Sequence, residues 1–167
     1  MNAGILFYLA RKTSLCQKQL SHYLQYYGVN AASVKICAKQ TGLSPAMAVL
    51  LEKHPVVFVV SGGTEARPCA ANPIFETLHI PLDAHGEPKR VLRLTGRDMS
   101  GYLIESLNQA IVLLPDHPEE LNAMLPQACD RLKLKFGLHG EPPPEDDTDY
   151  KALVAESMEA HRFKAGR

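Results

Sequence analysis

The sequence predicts an α/β fold: a three-layer sandwich with a mainly parallel central sheet, followed by an appended helix at the C-terminal end. Two uninterrupted apolar runs, residues 56–60 and residues 110–114, indicate buried strands. Strands that helices cover on both faces have no polar side, and they are typical of parallel sheets. The third observation is the order of the first elements, strand, helix, strand, helix, strand, which predicts right-handed β-α-β crossovers.

The first half of the chain supplies this order. Residues 5–9 form the apolar run of a first strand, and apolar side chains recur at helical spacing over residues 16–27. Gly28 is the expected end of that helix, where a positive φ favours glycine. Residues 29–36 predict a second strand. The pair Ser44-Pro45 predicts the start of a second helix, with the serine as its cap.

The segment between the two buried strands is less regular. Asn72 and Pro73 predict the start of a short helix. Residues 79–82 and 90–94 indicate two short extended pieces of an edge hairpin, and residues 101–105 indicate a further strand.

A long helix is expected after the second buried strand. Pro118 suits its first position, and Asp116 or His117 can cap it. Glu119 and Glu120 lie in the first turn, at the positive end of the helix dipole. The predicted buried stripe consists of Leu121, Met124, Leu125, Ala128 and Leu132.

The chain divides into three predicted segments. They are an α/β domain at residues 1–138, a proline-rich acidic linker at residues 139–148 and an amphipathic helix at residues 149–167. The linker is too polar and too stiff to join the core. The final helix carries one apolar stripe, which must rest on its own domain or on a neighbouring subunit.

Composition favours a soluble globular protein and argues against nucleic acid or a membrane as the partner. The 167 residues are 46% hydrophobic and 22% charged, with 18 basic and 18 acidic side chains. No stretch approaches the length that spans a bilayer, and the histidines show no metal-ligand spacing. The cysteines share no disulfide or zinc spacing and are expected to be free thiols in the cytoplasm: Cys16, Cys37, Cys69 and Cys129.

Both buried strands end in loops whose composition suits a bound phosphate. If the strands are parallel, these loops meet at one edge of the sheet, where open α/β sheets hold their ligands. Backbone N–H groups of the two glycines and the dipole of the following helix would face the phosphate. We therefore expect the ligand at Ser61, Gly62, Gly63, Thr64, Pro115, Asp116, Pro118 and Glu119, and we assign no catalytic residue. The alternative is that no ligand binds here: the two glycines only allow a tight turn after the strand, and residues 116–120 only cap the helix.

In two motifs the chain resembles the molybdenum-cofactor biosynthesis (MoaB/Mog-type) domain family, whose domain also begins competence/damage-inducible protein A. The motifs are residues 57–64, Val-Phe-Val-Val-Ser-Gly-Gly-Thr, and residues 110–125, Ala-Ile-Val-Leu-Leu-Pro-Asp-His-Pro-Glu-Glu-Leu-Asn-Ala-Met-Leu. Family members typically show Gly-Gly-Thr-Gly after the third strand and Leu-Pro-Gly-x-Pro-x-Glu-Met-x-x-Met-Leu near the end. The likeness covers roughly residues 4–137 and identifies a divergent member.

The resemblance implies a homo-oligomer that binds molybdopterin or a nucleotide through its phosphate at this edge. Relatives in cofactor synthesis adenylylate molybdopterin with Mg²⁺ and ATP, and relatives of the competence type are linked to hydrolysis of nucleotide pyrophosphates. Both reactions would be helped by a cation beside the phosphates, held by carboxylates.

Three departures from the family pattern bear on this activity. Glu65 replaces the last glycine of Gly-Gly-Thr-Gly, Asp116 replaces the glycine of the second motif, and residues 66–72 lack the family's Asp-x-Thr segment. The two added carboxylates could hold a metal, but they would more simply repel a polyphosphate. The alternative function is a non-catalytic oligomerisation or interaction module that has lost the family's chemistry.

Overall fold

The computed structural model describes residues 1–62, 71–144 and 150–165. The strands in these ranges are β1 (Asn2–Tyr8), β2 (Asn30–Cys37), β3 (Val56–Ser61), β4 (Leu92–Thr95), β5 (Ser100–Glu105) and β6 (Ala110–Pro115). The helices are α1 (Thr13–Gln25), α2 (Leu43–Lys53), α3 (Ala71–Thr77), α4 (Pro118–Phe136) and α5 (Tyr150–Ala165). Of these helices, none is both long and apolar enough to pass through a bilayer.

The strands form one sheet in the order β2-β1-β3-β6-β5-β4. β1 pairs in parallel with both β2 and β3, and β3 pairs in parallel with β6. β5 runs antiparallel to β6, and β4 runs antiparallel to β5. The mainly parallel sheet is therefore confirmed, and the two continuous apolar runs occupy adjacent central strands.

Helices cover both faces of the sheet. Along β3, Phe58 and Val60 face the layer of α1 and α4, whereas Val57 and Val59 face the layer of α2 and α3. Every residue of β3 and β6 is buried. A strand buried on both faces has no place for a polar side chain, which explains the continuous apolar runs. The predicted three-layer sandwich is confirmed.

Two local predictions are wrong. Ser44 does not cap α2, because a short 3₁₀ helix, Gln40–Gly42, leads directly into it and the cap residue already has helical φ and ψ. An N-cap serine needs an extended backbone at that point. The extended piece at residues 79–82 is not a strand: Leu82 makes an isolated bridge with Pro88, and β4 pairs with β5 instead.

The segment after α4 returns to the end of α1. Gly28, in the turn that follows α1, has the predicted positive φ of 68°. The Lys133 Nζ donates a hydrogen bond to the Gly140 carbonyl at 2.8 Å. A Cβ at Gly140 would lie 2.3 Å from the Tyr26 carbonyl oxygen, so this contact requires glycine. The beginning of the predicted linker thus touches the domain, while the bounds of the three segments stay predictions.

Candidate functional site

The carboxyl ends of β1, β3 and β6 lie side by side. In the register of the sheet, Tyr8 pairs with Ser61, and Ser61 pairs with Pro115. Beyond the strands, the Gly62 N–H donates to the Tyr8 carbonyl at 2.9 Å. The Asp116 N–H donates to the Ser61 carbonyl at 3.2 Å. The connections that follow β3 and β6 therefore leave from one edge of the sheet, which we call the strand-exit edge.

Gly62 is required by the close approach of the connection between β1 and α1. A Cβ at this position would lie 1.9 Å from the Leu9 carbonyl oxygen and 3.2 Å from the Ala10 Cα. Leu9 has a φ of 51°, in the left-handed region that leucine rarely adopts. The two connections thus pack backbone against backbone, and this contact requires glycine whatever the ligand.

The Gly62 N–H is already engaged within the sheet, because it donates to Tyr8. It is therefore not available to a phosphate in the way the sequence suggested. Gly63 and Thr64, the other predicted phosphate contacts of this loop, lie outside the described residues, and so does Glu65.

Asp116 binds the β1–α1 connection. The residue is only 5% exposed, and its Oδ2 accepts a hydrogen bond from the Arg11 N–H at 2.8 Å. Its Oδ1 lies 3.7 Å from the His117 Nε2. The carboxylate of Asp116 therefore joins the connection after β6 to the connection after β1 at this edge.

The thiols of Cys16 and Cys129 are not activated as nucleophiles. Burial raises the pKa of Cys16 to about 12; the negative charge of Asp116 raises it further and Lys12 lowers it. Burial also raises the pKa of Cys129 to about 12. Both thiols are protonated at neutral pH, whereas a nucleophilic cysteine reacts as the thiolate. Three cysteines are buried and free, Cys16, Cys37 and Cys129, and Cys69 lies outside the described residues.

The first turn of α4 is held against α1. Pro118 takes the first helical position as predicted, and His117 takes the cap position without a side-chain cap bond. The Gln19 Nε2 donates to the Pro118 carbonyl at 2.9 Å and to the Asn122 Oδ1. Glu119 is partly buried in the same turn. These contacts bring the positive end of the helix to the strand-exit edge.

Glu120 ends the loop at which we expect the ligand but is not among the expected ligand contacts, and it holds the turn between β4 and β5. It is 5% exposed, and its Oε2 accepts hydrogen bonds from the Arg97 N–H at 2.8 Å and the Met99 N–H at 3.3 Å. Its Oε1 accepts one from the Asp98 N–H at 3.1 Å. A Cβ at Gly96 would lie 1.8 Å from Oε2, so the turn closes tightly over the carboxylate.

A metal centre is not found in the described ranges. Within residues 1–62, 71–144 and 150–165, no group of three or more His, Cys, Asp and Glu side chains could hold a metal ion. The buried carboxylates of Asp116 and Glu120 are engaged with backbone N–H groups. Since Mg²⁺ binds through carboxylate oxygens that are free to reach it, the described residues do not fit the cation that the resemblance implies.

Neither a protein-family model nor a curated protein matches the chain. Among solved structures, it is similar to CinA from Thermoplasma acidophilum, described as a protein of unknown function. That match has a TM-score of 0.59 and 14% identity over 78% of this chain and 96% of CinA. The molybdopterin biosynthesis enzyme MoaB from Thermus thermophilus matches with a TM-score of 0.54 and 15% identity, over 84% of this chain and 98% of MoaB.

MogA matches with a TM-score of 0.57 and 18% identity, over 82% of this chain and 98% of MogA. The chain has the MoaB/Mog fold. The resemblance inferred from the two motifs is thus confirmed in the fold, and the strand-exit edge is that of a MoaB/Mog-like sheet.

Proposed function

We propose that this MoaB/Mog-like protein binds a phosphate-bearing ligand, molybdopterin or a nucleotide, at the strand-exit edge. The observation that carries the proposal is the adjacency of the two exits, in which the Asp116 N–H donates to the Ser61 carbonyl at 3.2 Å. Pro118 begins α4 directly beyond this contact. A ligand at this point would meet the N-terminus of a helix of 19 residues, which attracts a phosphate.

The proposed contacts divide between the two connections. Ser61 is fully buried and Gly62 gives its N–H to the sheet, so in the proposal they shape the edge. Gly63 and Thr64 would give the phosphate their backbone N–H groups and a hydroxyl. Pro115, Asp116, Pro118 and Glu119 would form the opposite wall.

Two further observations support the choice of ligand and compartment. MoaB, which shares the fold, is a molybdopterin biosynthesis enzyme, and this favours molybdopterin or a nucleotide over other phosphate compounds. We place the protein in the cytoplasm, where buried free thiols such as Cys16 and Cys129 stay reduced.

Calorimetric titration with molybdopterin, ATP and AMP, each with and without Mg²⁺, tests the proposal. We expect saturable heat with at least one of these ligands. An absence of heat for all of them, with a folded protein in the calorimeter, contradicts the proposal.

A pair of matched charge variants locates the site. Glu65→Gln removes the carboxylate that replaces the family's last glycine, and we expect it to tighten ATP binding by about threefold because a repulsion is lost. Glu52→Gln makes the same change on the exposed end of α2, at the opposite edge of the sheet, and is expected to leave the affinity unchanged. Gly63→Val is expected to abolish binding by blocking the backbone. Equal affinities in all three variants would place the ligand elsewhere.

A second candidate function is a homo-oligomeric interaction module without catalysis. The edge strand β2 favours it, because Ile36 is 71% exposed and Val34 is 39% exposed. On α5, Met158 is 64% exposed. Exposed apolar side chains beside an open sheet edge suit pairing with a second copy.

Light scattering of the full chain tests this second candidate. We expect Ile36→Lys to reduce the mass to that of a monomer, because a charge would be buried in the contact. Leu107→Lys, at a residue that is 90% exposed in the turn before β6, is the control and should leave the mass unchanged. A monomeric wild-type protein would rule the module out.

A further inference from the structure

A cavity of about 380 Å³ lies at the edge of the sheet opposite to the strand-exit edge. Ala110, which begins β6 and pairs with Val56, lines it, whereas Pro115 ends the same strand at the strand-exit edge. Five steps along a strand separate the two ends by about 16 Å. The cavity is therefore separate from the site proposed above, and its volume falls within the range of small-molecule sites, about 300–1,000 Å³.

The floor of the cavity is apolar. Leu51 at the end of α2, Leu78 after α3, and Ile104 and Ile111 on β5 and β6 line it. The helix α3 has only 7 residues, too short to cover this part of the sheet. Residues 79–81 and 89–91, the two ends of the segment between α3 and β4, form another part of the wall.

The rim of the cavity is cationic. Lys89 and Arg90 line it, and neither forms an ion pair with any residue in the described ranges. Glu105 is the acidic residue of the lining, and its carboxylate is already paired with Arg131 through hydrogen bonds of 2.9 Å and 2.8 Å. The charges that remain for a ligand in the lining are therefore positive.

The other acids of the wall segment are engaged elsewhere. The Asp83 Oδ1 accepts the His85 and Glu87 N–H groups at 2.8 Å and 2.9 Å. The Glu87 Oε2 accepts the Tyr102 hydroxyl at 3.4 Å. Neither Asp83 nor Glu87 lines the cavity, so they do not occupy its cationic rim.

Backbone contacts hold the residues at the rim in place. His79 and Arg90 have φ values of 55° and 59°, in the left-handed region that favours glycine or asparagine. The Ile80 N–H donates to the Phe75 carbonyl at 2.9 Å, which fixes His79 at the end of α3. The Lys89 N–H donates to the Pro81 carbonyl at 2.8 Å and joins the two sides of the rim.

We propose that this cavity binds a small organic anion that has an apolar body and one carboxylate or phosphate group. The apolar body would lie on the floor, since burial of apolar surface stabilises the complex. The anionic group would lie at the rim beside Lys89 and Arg90, where a charged partner strengthens the hydrogen bonds.

Four probes test the proposal on the wild-type protein by NMR of the backbone amides. Octanoate and octyl phosphate carry the tail and an anion, octylammonium carries the tail and a cation, and inorganic phosphate carries no tail. We expect octanoate and octyl phosphate to shift the amides of Leu78, Ser106 and Ile111, and to bind at least about tenfold more tightly than the other two. Equal binding of octylammonium, or no shift with any probe, would overturn the proposal.

Matched variants test the role of the rim. Lys89→Gln and Arg90→Asn each should weaken octanoate binding by about threefold to tenfold, because each removes one cation, and asparagine tolerates the left-handed backbone at residue 90. Lys18→Gln, on the exposed side of α1, should leave it unchanged. Octanoate affinity unaltered by both rim variants would also overturn the proposal. We expect ATP to shift the NMR signal of the Asp116 amide and octanoate to shift that of the Ile111 amide. Each of the two proposed sites can therefore be contradicted without the other.

Discussion

The Oδ2 of Asp116, at the exit of β6, accepts a hydrogen bond from the Arg11 N–H at the exit of β1, 2.8 Å away and 105 residues earlier in the chain. Asp116 stands where the MoaB/Mog-type motif that the sequence resembles has a glycine, so this position carries a side chain at the strand-exit edge. The carboxylate is only 5% exposed and is bound to a backbone N–H of the same chain. The carboxylate of Asp116 therefore has a structural role in this contact that needs no metal and no catalytic function.

Replacing Asp116 by alanine should lower the free energy of unfolding by about 1–3 kcal/mol, because the partly buried Arg11 N–H loses its acceptor. Asp116→Asn keeps an acceptor oxygen and should lower the free energy of unfolding by clearly less. Urea denaturation measures both values. Equal stability of the two variants would show that the hydrogen bond contributes nothing.

Replacing Gly62 by alanine should destabilise the fold by about 3 kcal/mol, because the new Cβ would lie 1.9 Å from the Leu9 carbonyl oxygen and the backbone must shift. Gly28→Ala is the control. Its φ of 68° costs an alanine roughly 1 kcal/mol, but no atom lies within 4 Å of the new Cβ. Thermal unfolding compares the two, and a Gly62→Ala melting temperature at or above that of Gly28→Ala would contradict the packing described here.

Glu120→Gln should destabilise the protein by about 2 kcal/mol. The carboxylate accepts hydrogen bonds from three N–H groups through both oxygens, and a glutamine presents an NH₂ group to some of them. Glu52→Gln, the same change at an exposed position of α2, should have almost no effect. Denaturant titration measures both, and a loss of similar size at both positions would contradict the role of Glu120.

The ion pair between Arg131 and Glu105 predicts a pH dependence of stability. The hydrogen bond that the Glu105 carboxylate accepts from Arg131 lowers the pKa of Glu105 below the usual 4.5. Partial burial raises this pKa, and the positive charges of Arg131 and Lys135 lower it. The contribution to stability is therefore fully present above about pH 4.5 and is lost as the pH falls through the lower native pKa. Arg131→Gln should melt slightly below the wild type at about pH 7, and at about pH 2 the difference should nearly vanish.

Lys18→Gln is the control for this measurement, because Lys18 is an exposed cation without an ion pair among the described residues. Its melting difference from the wild type should not change over the acid range. If the difference in melting temperature between Arg131→Gln and the wild type stays constant with pH, the pKa of Glu105 does not depend on Arg131.

The central strands could be predicted because two short apolar runs, rich in β-branched residues, favour buried strands over helices. A run such as residues 56–60, apolar at every position, fits a strand buried on both faces, and residues 110–114 repeat the pattern. The prediction that the carboxyl ends of these strands lie side by side was correct as well, because the two strands are parallel and adjacent. The start of α2 was predicted wrongly at Ser44, because a cap preference is a local tendency and the preceding 3₁₀ helix overrode it.

The side-chain contacts of the edge could not be predicted in the same way. Nothing near Asp116 in the sequence indicates that its partner is the backbone of Arg11. Glu120 was partly predictable, because it lies four residues before the buried Met124 and therefore on the buried side of α4. What it binds there, the turn between β4 and β5, follows only from the tertiary structure.

The two buried acids also connect regions on either side of β6. Asp116 reaches the β1–α1 connection, and Glu120, one helical turn later, reaches the β4–β5 turn. A molecule that displaces the start of α4 would therefore disturb both at once. The rates of hydrogen–deuterium exchange at the Arg11 and Arg97 amides would then change together. Both amides lie outside the loops proposed to bind the ligand, so their exchange rates report whether a ligand occupies the strand-exit edge.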